Sequence, residues 1–136
     1  MSLNHFHTGR QAPIIAGPDS LKQLPELRPR LGASRYIVIS DQGLAATGLV
    51  DALVNDLAND AEVNTFLAPA GEPSVASVDA AAAAVRALTG RPLVIGLGGG
   101  TALDIAKLVA ALAESPGDMD NYLLAMNPWA GRVPAV

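Results

Sequence analysis

The chain has no cysteine. It can therefore form no disulfide, offer no thiolate to a metal and use no thiol as a nucleophile, and it suits a reducing cytoplasm. Aromatic residues are scarce, at 4%, although 50% of the residues are hydrophobic; alanine and small aliphatic side chains carry that apolar content, which favours helices packed closely on a sheet. Positive charge is missing from a long stretch. Residues 41–85 contain neither Lys nor Arg and hold seven acids, at 41, 51, 56, 60, 62, 72 and 79. With a formal net charge of −4, such a surface has nothing to grip a phosphate backbone, so nucleic acid is not an expected partner. Long apolar runs are also missing. The longest uncharged run, residues 92–103, has 12 residues of which four are glycine, whereas a membrane span needs about 20 apolar residues. Residues 1–11 are polar and lack the apolar centre of a signal peptide. The expectation is a soluble cytoplasmic protein of one domain, since 136 residues suit a single core.

Three short runs have strand character: residues 36–40 (YIVIS), 63–67 (VNTFL) and 93–97 (LVIGL), with starts 27 and 30 residues apart. Between them lie segments with helical spacing of apolar residues. Residues 48–59 place Leu49, Val50, Leu53, Val54 and Leu57 on one face. Residues 74–88 are alanine-rich, with Ser74 or Ser77 as N-cap and Gly90 as stop, and residues 102–114 end at Ser115-Pro116-Gly117. Strand and helix alternating at about 30 residues per unit predict βαβ crossovers and a parallel sheet. The fold class expected is α/β, a Rossmann-like open parallel sheet with helices on both faces. The first and third runs lack polar alternation, as strands buried on both faces do; the mixed second run belongs nearer an edge. Residues 13–16 (PIIA) read as an early strand, followed by a short helix from Asp19 that Pro25 and Pro29 interrupt. Residues 118–136 show no clear periodicity, and residues 132–136 read as the start of another strand.

The segment Leu93-Val94-Ile95-Gly96-Leu97-Gly98-Gly99-Gly100-Thr101 carries the most chemistry. A buried strand runs into a glycine turn and then directly into a helix. Glycines let the chain turn tightly and let a ligand approach the main chain, and a helix start offers free N–H groups and the positive end of the dipole. The pattern is neither G-x-G-x-x-G, because the third position falls on Thr101, nor a P-loop. It reads as a phosphate cradle for a nucleotide, or else as a close-packed turn. The Thr101 hydroxyl suits either a helix cap or a phosphate contact. Asp104 and Lys107, three residues apart, are either part of a site or a surface ion pair. Asp41 follows the first strand and so shares the sheet edge where ligands bind in open α/β sheets; it is suited to a ribose diol, or is a turn former in Ser40-Asp41-Gln42-Gly43. Gly71-Glu72-Pro73-Ser74 reaches the same edge, as ligand contact or as loop and helix cap. His5 and His7 lie in a polar terminus without a third ligand nearby. No catalytic triad, carboxylate pair or general base stands out.

Gly98-Gly99-Gly100-Thr101-Ala102-Leu103-Asp104-Ile105-Ala106-Lys107 closely resembles the G-G-G-S-x-x-D-x-x-K signature of the iron-dependent (group III) alcohol dehydrogenases, with Thr101 in place of serine. Ser40-Asp41-Gln42-Gly43-Leu44 with Thr47-Gly48-Leu49-Val50, Glu72-Pro73-Ser74 and Ser115-Pro116-Gly117-Asp118 are similar to the family's T-D-x-G-L…S-G-L-V, E-P-N and N-P-G-D. The likeness runs from Ile14 onward. It implies a two-domain enzyme whose N-terminal domain binds NAD(P) and whose helical C-terminal domain holds Fe²⁺ or Zn²⁺ through an Asp and three His. On that basis Gly98, Gly99, Gly100 and Thr101 would bind the pyrophosphate, Asp41 the adenosine ribose with NAD preferred over NADP, and Asp104 the nicotinamide side; Lys107 and Ser74 transfer more weakly. Residues 1–136 would be the NAD(P)-binding domain. The family's T-T-x-G-T-G-S loop and its metal ligands would lie beyond Val136.

The resemblance thus implies the cofactor-binding part of an enzyme that moves hydride between NAD(P) and a small alcohol or aldehyde, silent on its own. It also implies a homodimer, with Ile14 and Ile15 joining a partner's strand. A non-catalytic nucleotide-binding module is the alternative from another class. A cyclase of the dehydroquinate synthase type is a third reading, although such enzymes carry glycine just before the Asp, where this chain has Leu103.

Overall fold

Each of the three apolar runs forms a strand: β1 (Arg35–Asp41), β2 (Val63–Ala68) and β3 (Pro92–Gly96). The computed structural model describes residues 13–124, 129–131 and 133–136. The strands are parallel in the order β2-β1-β3. β1 is central and buried along its length except at Asp41, while β2, the polar-mixed run, lies at the edge and is only partly covered. The chain end adds a further parallel bridge on the outer side of β3, Val94 to Ala135, with Val136 N–H donating to Val94 O at 2.9 Å. Residues 133–136 therefore begin a fourth strand position, in line with the strand start that the sequence suggests there.

Side-chain alternation along β1 divides the core. Ile37 and Ile39 face α4 (Val75–Arg86) and α5 (Gly100–Leu112), meeting Val78, Ala82, Val85, Ile105 and Val109. Tyr36 and Val38 face the opposite side, where α1 (Leu24–Arg30) and α3 (Leu49–Leu57) supply Leu24, Val50, Leu53 and Leu57. Each fully buried Val, Leu or Ile contributes about 1.5–3 kcal/mol. The alanines Ala81, Ala82, Ala106 and Ala110 are buried and let α4 and α5 lie close on the sheet. The helices thus cover both faces, as expected for a doubly wound α/β sheet.

Several boundaries differ from the sequence reading. Residues 13–16 are not a strand; Ile14 is 87% exposed and Ile15 46%, and no strand among the described residues pairs with them. The prolines do not interrupt the first helix. A 3-10 turn (Ser20–Gln23) leads into α1, which contains both. Pro25 sits in its first turn, where the missing N–H costs nothing, and Pro29 lies in its last turn. α4 is capped by Ser74, whose hydroxyl accepts the Ser77 N–H, and it ends at Arg86, before Leu88. α5 begins at Gly100 rather than Ala102. Two four-residue helices, α2 (Gln42–Ala45) and α6 (Asp120–Leu123), are too short to show periodicity in sequence.

Long-range polar ties fix the helix ends. The Arg86 guanidinium reaches the carbonyls of Leu112, Ser115 and Gly117 at 2.6–2.9 Å and closes the end of α5. Asp79 accepts the Met119 N–H at 2.8 Å, and Tyr122 stacks on Trp129 with centroids 4.1 Å apart. At the start of β1 the Tyr36 hydroxyl donates to Asp60 at 2.5 Å and Arg28 donates to the same carboxylate at 2.7 Å. The Arg28 hydrogen bond, followed by that of Tyr36, holds the Asp60 carboxyl below its usual range. Burial, reinforced by the Asp60 hydrogen bond, pushes the Tyr36 phenol up to about 12.

Asp60→Ala removes these bonds and a second one from the Arg28 guanidinium at 3.2 Å, and is expected to lower stability at neutral pH by about 1–3 kcal/mol, read by urea unfolding. Because the folded carboxyl titrates below the unfolded one, its contribution is present above the unfolded pKa and is lost as the pH falls through the folded value. The gap between wild type and variant should therefore narrow below about pH 4.

Candidate functional site

A crevice opens at the carboxyl end of the sheet because the chain leaves β1 and β3 toward opposite faces. After β1 it enters α2 and then α3, on the Tyr36 side; after β3 it enters α5, on the Ile39 side. The order β2-β1-β3 makes the β1–β3 boundary the topological switch point, the usual location of ligands in such sheets. Asp41 closes β1 and Gly98 lies just past β3, so the two meet across this gap.

The glycines differ in what they permit. Gly98 has φ +142°, and a Cβ there would stand 3.2 Å from both Asp41 Oδ2 and Ala102 Cβ. Both the backbone angle and the close approach of the carboxylate require glycine at 98. Gly99 and Gly100 are exposed, and a Cβ on either would meet nothing within 4 Å. Gly99 is the N-cap of α5 and no side chain caps that helix. A thirteen-residue helix thus starts without a capping side chain, at the positive end of its dipole, with room for a Cβ on either glycine.

Asp41 is held from two directions. Its Oδ1 accepts the Leu44 N–H at 2.9 Å, capping α2, and a Cβ on Gly43 would come within 3.0 Å of that oxygen. Its other oxygen lies against Gly98. Ser40, fully buried, donates its hydroxyl to Leu97 O at 2.7 Å and joins the two strand ends just short of Asp41 and Gly98.

Thr101 does not present a free donor to the crevice. Its hydroxyl donates to Gly71 O at 3.1 Å and ties the loop of residues 69–73 to the first turn of α5. Asp104 and Lys107 form an ion pair at 3.5 Å, with side chains 59% and 73% exposed, the geometry of a solvated pair worth little. Ser74 is engaged with the start of α4 and with the Ser77 hydroxyl at 2.7 Å. His5 and His7 lie outside the described residues. Among the described residues no group of three or more His, Asp or Glu converges to hold a metal ion, and no helix is long and apolar enough to cross a membrane. A hollow of about 590 Å³ lies away from the crevice, between α5 and the chain end, walled by Gly96, Leu103, Ala106, Lys107 and residues 133–136. Its walls are mainly aliphatic, and Arg91 and Lys107 are the charged side chains that line it.

Sequence reasoning brings Asp41 and the glycine turn to one edge, and the structure places them in contact. It missed the roles of Ser40 and Gly71. A polar residue closing the apolar run Tyr36-Ile37-Val38-Ile39 was the available signal for Ser40; the Gly71 carbonyl had none.

The strand order, the helices on both faces and the glycine turn at the switch point define a Rossmann-like α/β domain. A profile described as iron-containing alcohol dehydrogenase matches residues 12–135, and the chain belongs to that family. It is 41% identical over 110 residues to long-chain-alcohol dehydrogenase 1 of Geobacillus thermodenitrificans, covering 79% of this chain and 27% of that protein. To sulfoacetaldehyde reductase of Bilophila wadsworthia it is 30% identical over 119 residues, 85% of this chain and 30% of the relative. The NADH-dependent butanol dehydrogenase A of Thermotoga maritima shares its fold with a TM-score of 0.83 at 22% identity, over 96% of this chain and 33% of that one. Sulfoacetaldehyde reductase from Bifidobacterium kashiwanohense, solved in complex with NAD⁺, superposes with a TM-score of 0.76 at 20% identity, over 88% of this chain and 31% of that one. The chain therefore spans about a third or less of the length of these proteins.

Gly98→Ala is expected to destabilise the fold by about 1–3 kcal/mol through its backbone angle and crowding, whereas Gly100→Ala, in open space at a helical position, changes stability by less than about 1 kcal/mol. Thermal unfolding of the two variants checks this contrast.

Proposed function

We propose that the crevice between Asp41 and Gly98 binds NAD(H), and that this chain is the cofactor-binding part of a metal-dependent alcohol dehydrogenase acting on a small alcohol or aldehyde. The observation that carries the reading is the α5 start at Gly99 and Gly100, which no side chain caps and where a Cβ on either glycine would stand in open space, beside a carboxylate held by the Leu44 N–H. Gly98, Gly99 and Gly100 would hold the diphosphate on main-chain N–H groups. Thr101 contributes its amide to the same helix start, its hydroxyl being engaged by Gly71. Asp41 would accept hydrogen bonds from the adenosine ribose diol through the oxygen that does not cap α2, and its charge would repel a 2′-phosphate. Asp104, one turn into α5, would border the nicotinamide side.

When bound, the nicotinamide supplies the hydride chemistry; this chain orients it and keeps the diphosphate charge paired with the helix dipole. The Fe²⁺ or Zn²⁺ that the family uses would be held by residues outside 1–136, in a helical domain. The membership and the NAD⁺ complex of one structural relative support this assignment. Assembly as a homodimer in the cytoplasm belongs to the same proposal.

Calorimetric titration with NAD⁺ and NADP⁺ tests it. NAD⁺ should bind, and NADP⁺ about tenfold or more weakly, a difference of ~1.4 kcal/mol. Asp41→Asn keeps an oxygen for the Leu44 N–H but drops the charge, and should narrow that ratio. Absence of binding by either nucleotide at millimolar concentration contradicts the site; an unchanged ratio in Asp41→Asn removes Asp41 from the ribose role.

A further inference from the structure

Ser40 adds a second level to the nucleotide reading, on which the following rests. A carboxylate can tell a ribose diol from a 2′-phosphate only if its position relative to the diphosphate cradle is fixed. Asp41 stays paired with Ala68 of β2, but main-chain pairing between β1 and β3 does not reach the gap. The β1–β3 register ends at Ile39 and Gly96, and the last ladder bond runs from Leu97 N–H to Ile39 O at 2.9 Å. Beyond that point Gly98 turns away at φ +142° toward α5, and Asp41 leaves into α2 on the other face.

One more hydrogen bond spans the opening gap, from the Ser40 hydroxyl to Leu97 O at 2.7 Å. Ser40 is covalently next to Asp41, and Leu97 is next to Gly98. Ser40 is fully buried at the end of an apolar run, where alanine would fill nearly the same space without a hydroxyl to desolvate. Burying that hydroxyl is compensated only by the bond it makes. The bond acts as a crossbar at the root of the crevice, one residue behind each of the two groups that face each other across it, where Asp41 Oδ2 lies 3.2 Å from the position of a Gly98 Cβ.

We infer that Ser40 is a positioning residue for cofactor selectivity: its crossbar to Leu97 sets the spacing between the Asp41 carboxylate and the glycine turn, and thereby the preference for a free ribose diol over a 2′-phosphorylated one. The hydroxyl touches no cofactor. Its effect on binding passes through Asp41.

The test measures dissociation constants for NAD⁺ and NADP⁺ by calorimetry on wild type, Ser40→Ala, Ser40→Cys, Asp41→Asn and the Ser40→Ala/Asp41→Asn double variant, with melting temperatures alongside. Ser40→Ala should weaken NAD⁺ roughly fivefold, the effect of losing one buried hydrogen bond, and leave NADP⁺ unchanged or tighter, so that the ratio falls by that factor. Ser40→Cys keeps the size with a weak donor; it should give an intermediate ratio and carries the test if the alanine variant does not fold. In the Asp41→Asn background, Ser40→Ala should no longer change the ratio. Equal weakening of both nucleotides, no change in either, or the same ratio loss in the Asp41→Asn background each overturns the inference while leaving the nucleotide site intact. A wild-type protein that binds neither nucleotide overturns the nucleotide reading itself, and the inference with it.

Discussion

Everything at the candidate site depends on the divergence of β1 and β3. Two parallel strands, bonded side by side as far as Ile39 and Leu97, send their following helices to opposite faces of the sheet. Burial enforces that choice. The apolar side of α3 matches Tyr36 and Val38, and the apolar side of α5 matches Ile37 and Ile39. With both faces of β1 covered, the strand ends can only part, and the polar groups that follow them line the gap. The site is therefore a consequence of how the core closes.

The electrostatics of the gap follow from its construction. α5 starts with no capping side chain, which leaves its first amides to solvent or a ligand and concentrates the helix dipole there. α2 takes its cap from Asp41, so one carboxylate oxygen is spent on structure while the other faces Gly98. A glycine at 98 admits that carboxylate against the turn; any side chain would push it away. An anion-seeking helix start and a fixed acid a short distance apart are complementary to a molecule that is anionic in its middle and carries hydroxyl donors at its side.

The sequence made the fold legible wherever side-chain patterning is tied to burial. The continuous apolar runs of β1 and β3 marked them as interior strands, and the polar mixture of β2 placed it at the edge. The alanine-rich stretch before Arg86 showed α4 and its serine cap. Patterning failed where structure is local or polar. Pro13-Ile14-Ile15-Ala16 has strand composition, but those residues pair with nothing among the described residues. α2 and α6 are single turns that no periodicity can reveal. The glycine turn and Asp41 could be placed on one edge from topology alone. The engagement of the Thr101 hydroxyl by Gly71 O and the crossbar from Ser40 could not, because each joins residues thirty or more apart in sequence through a carbonyl that carries no sequence signature.

The most direct test of the central claim is residue-resolved. In a ¹H–¹⁵N NMR titration of the chain with NAD⁺, the account predicts that the amides of Asp41 and of Gly98, Gly99, Gly100 and Thr101 shift together and saturate along one binding curve. Saturable shifts confined to the hollow around Lys107 and residues 133–136, with the glycine-turn amides unmoved, would contradict it.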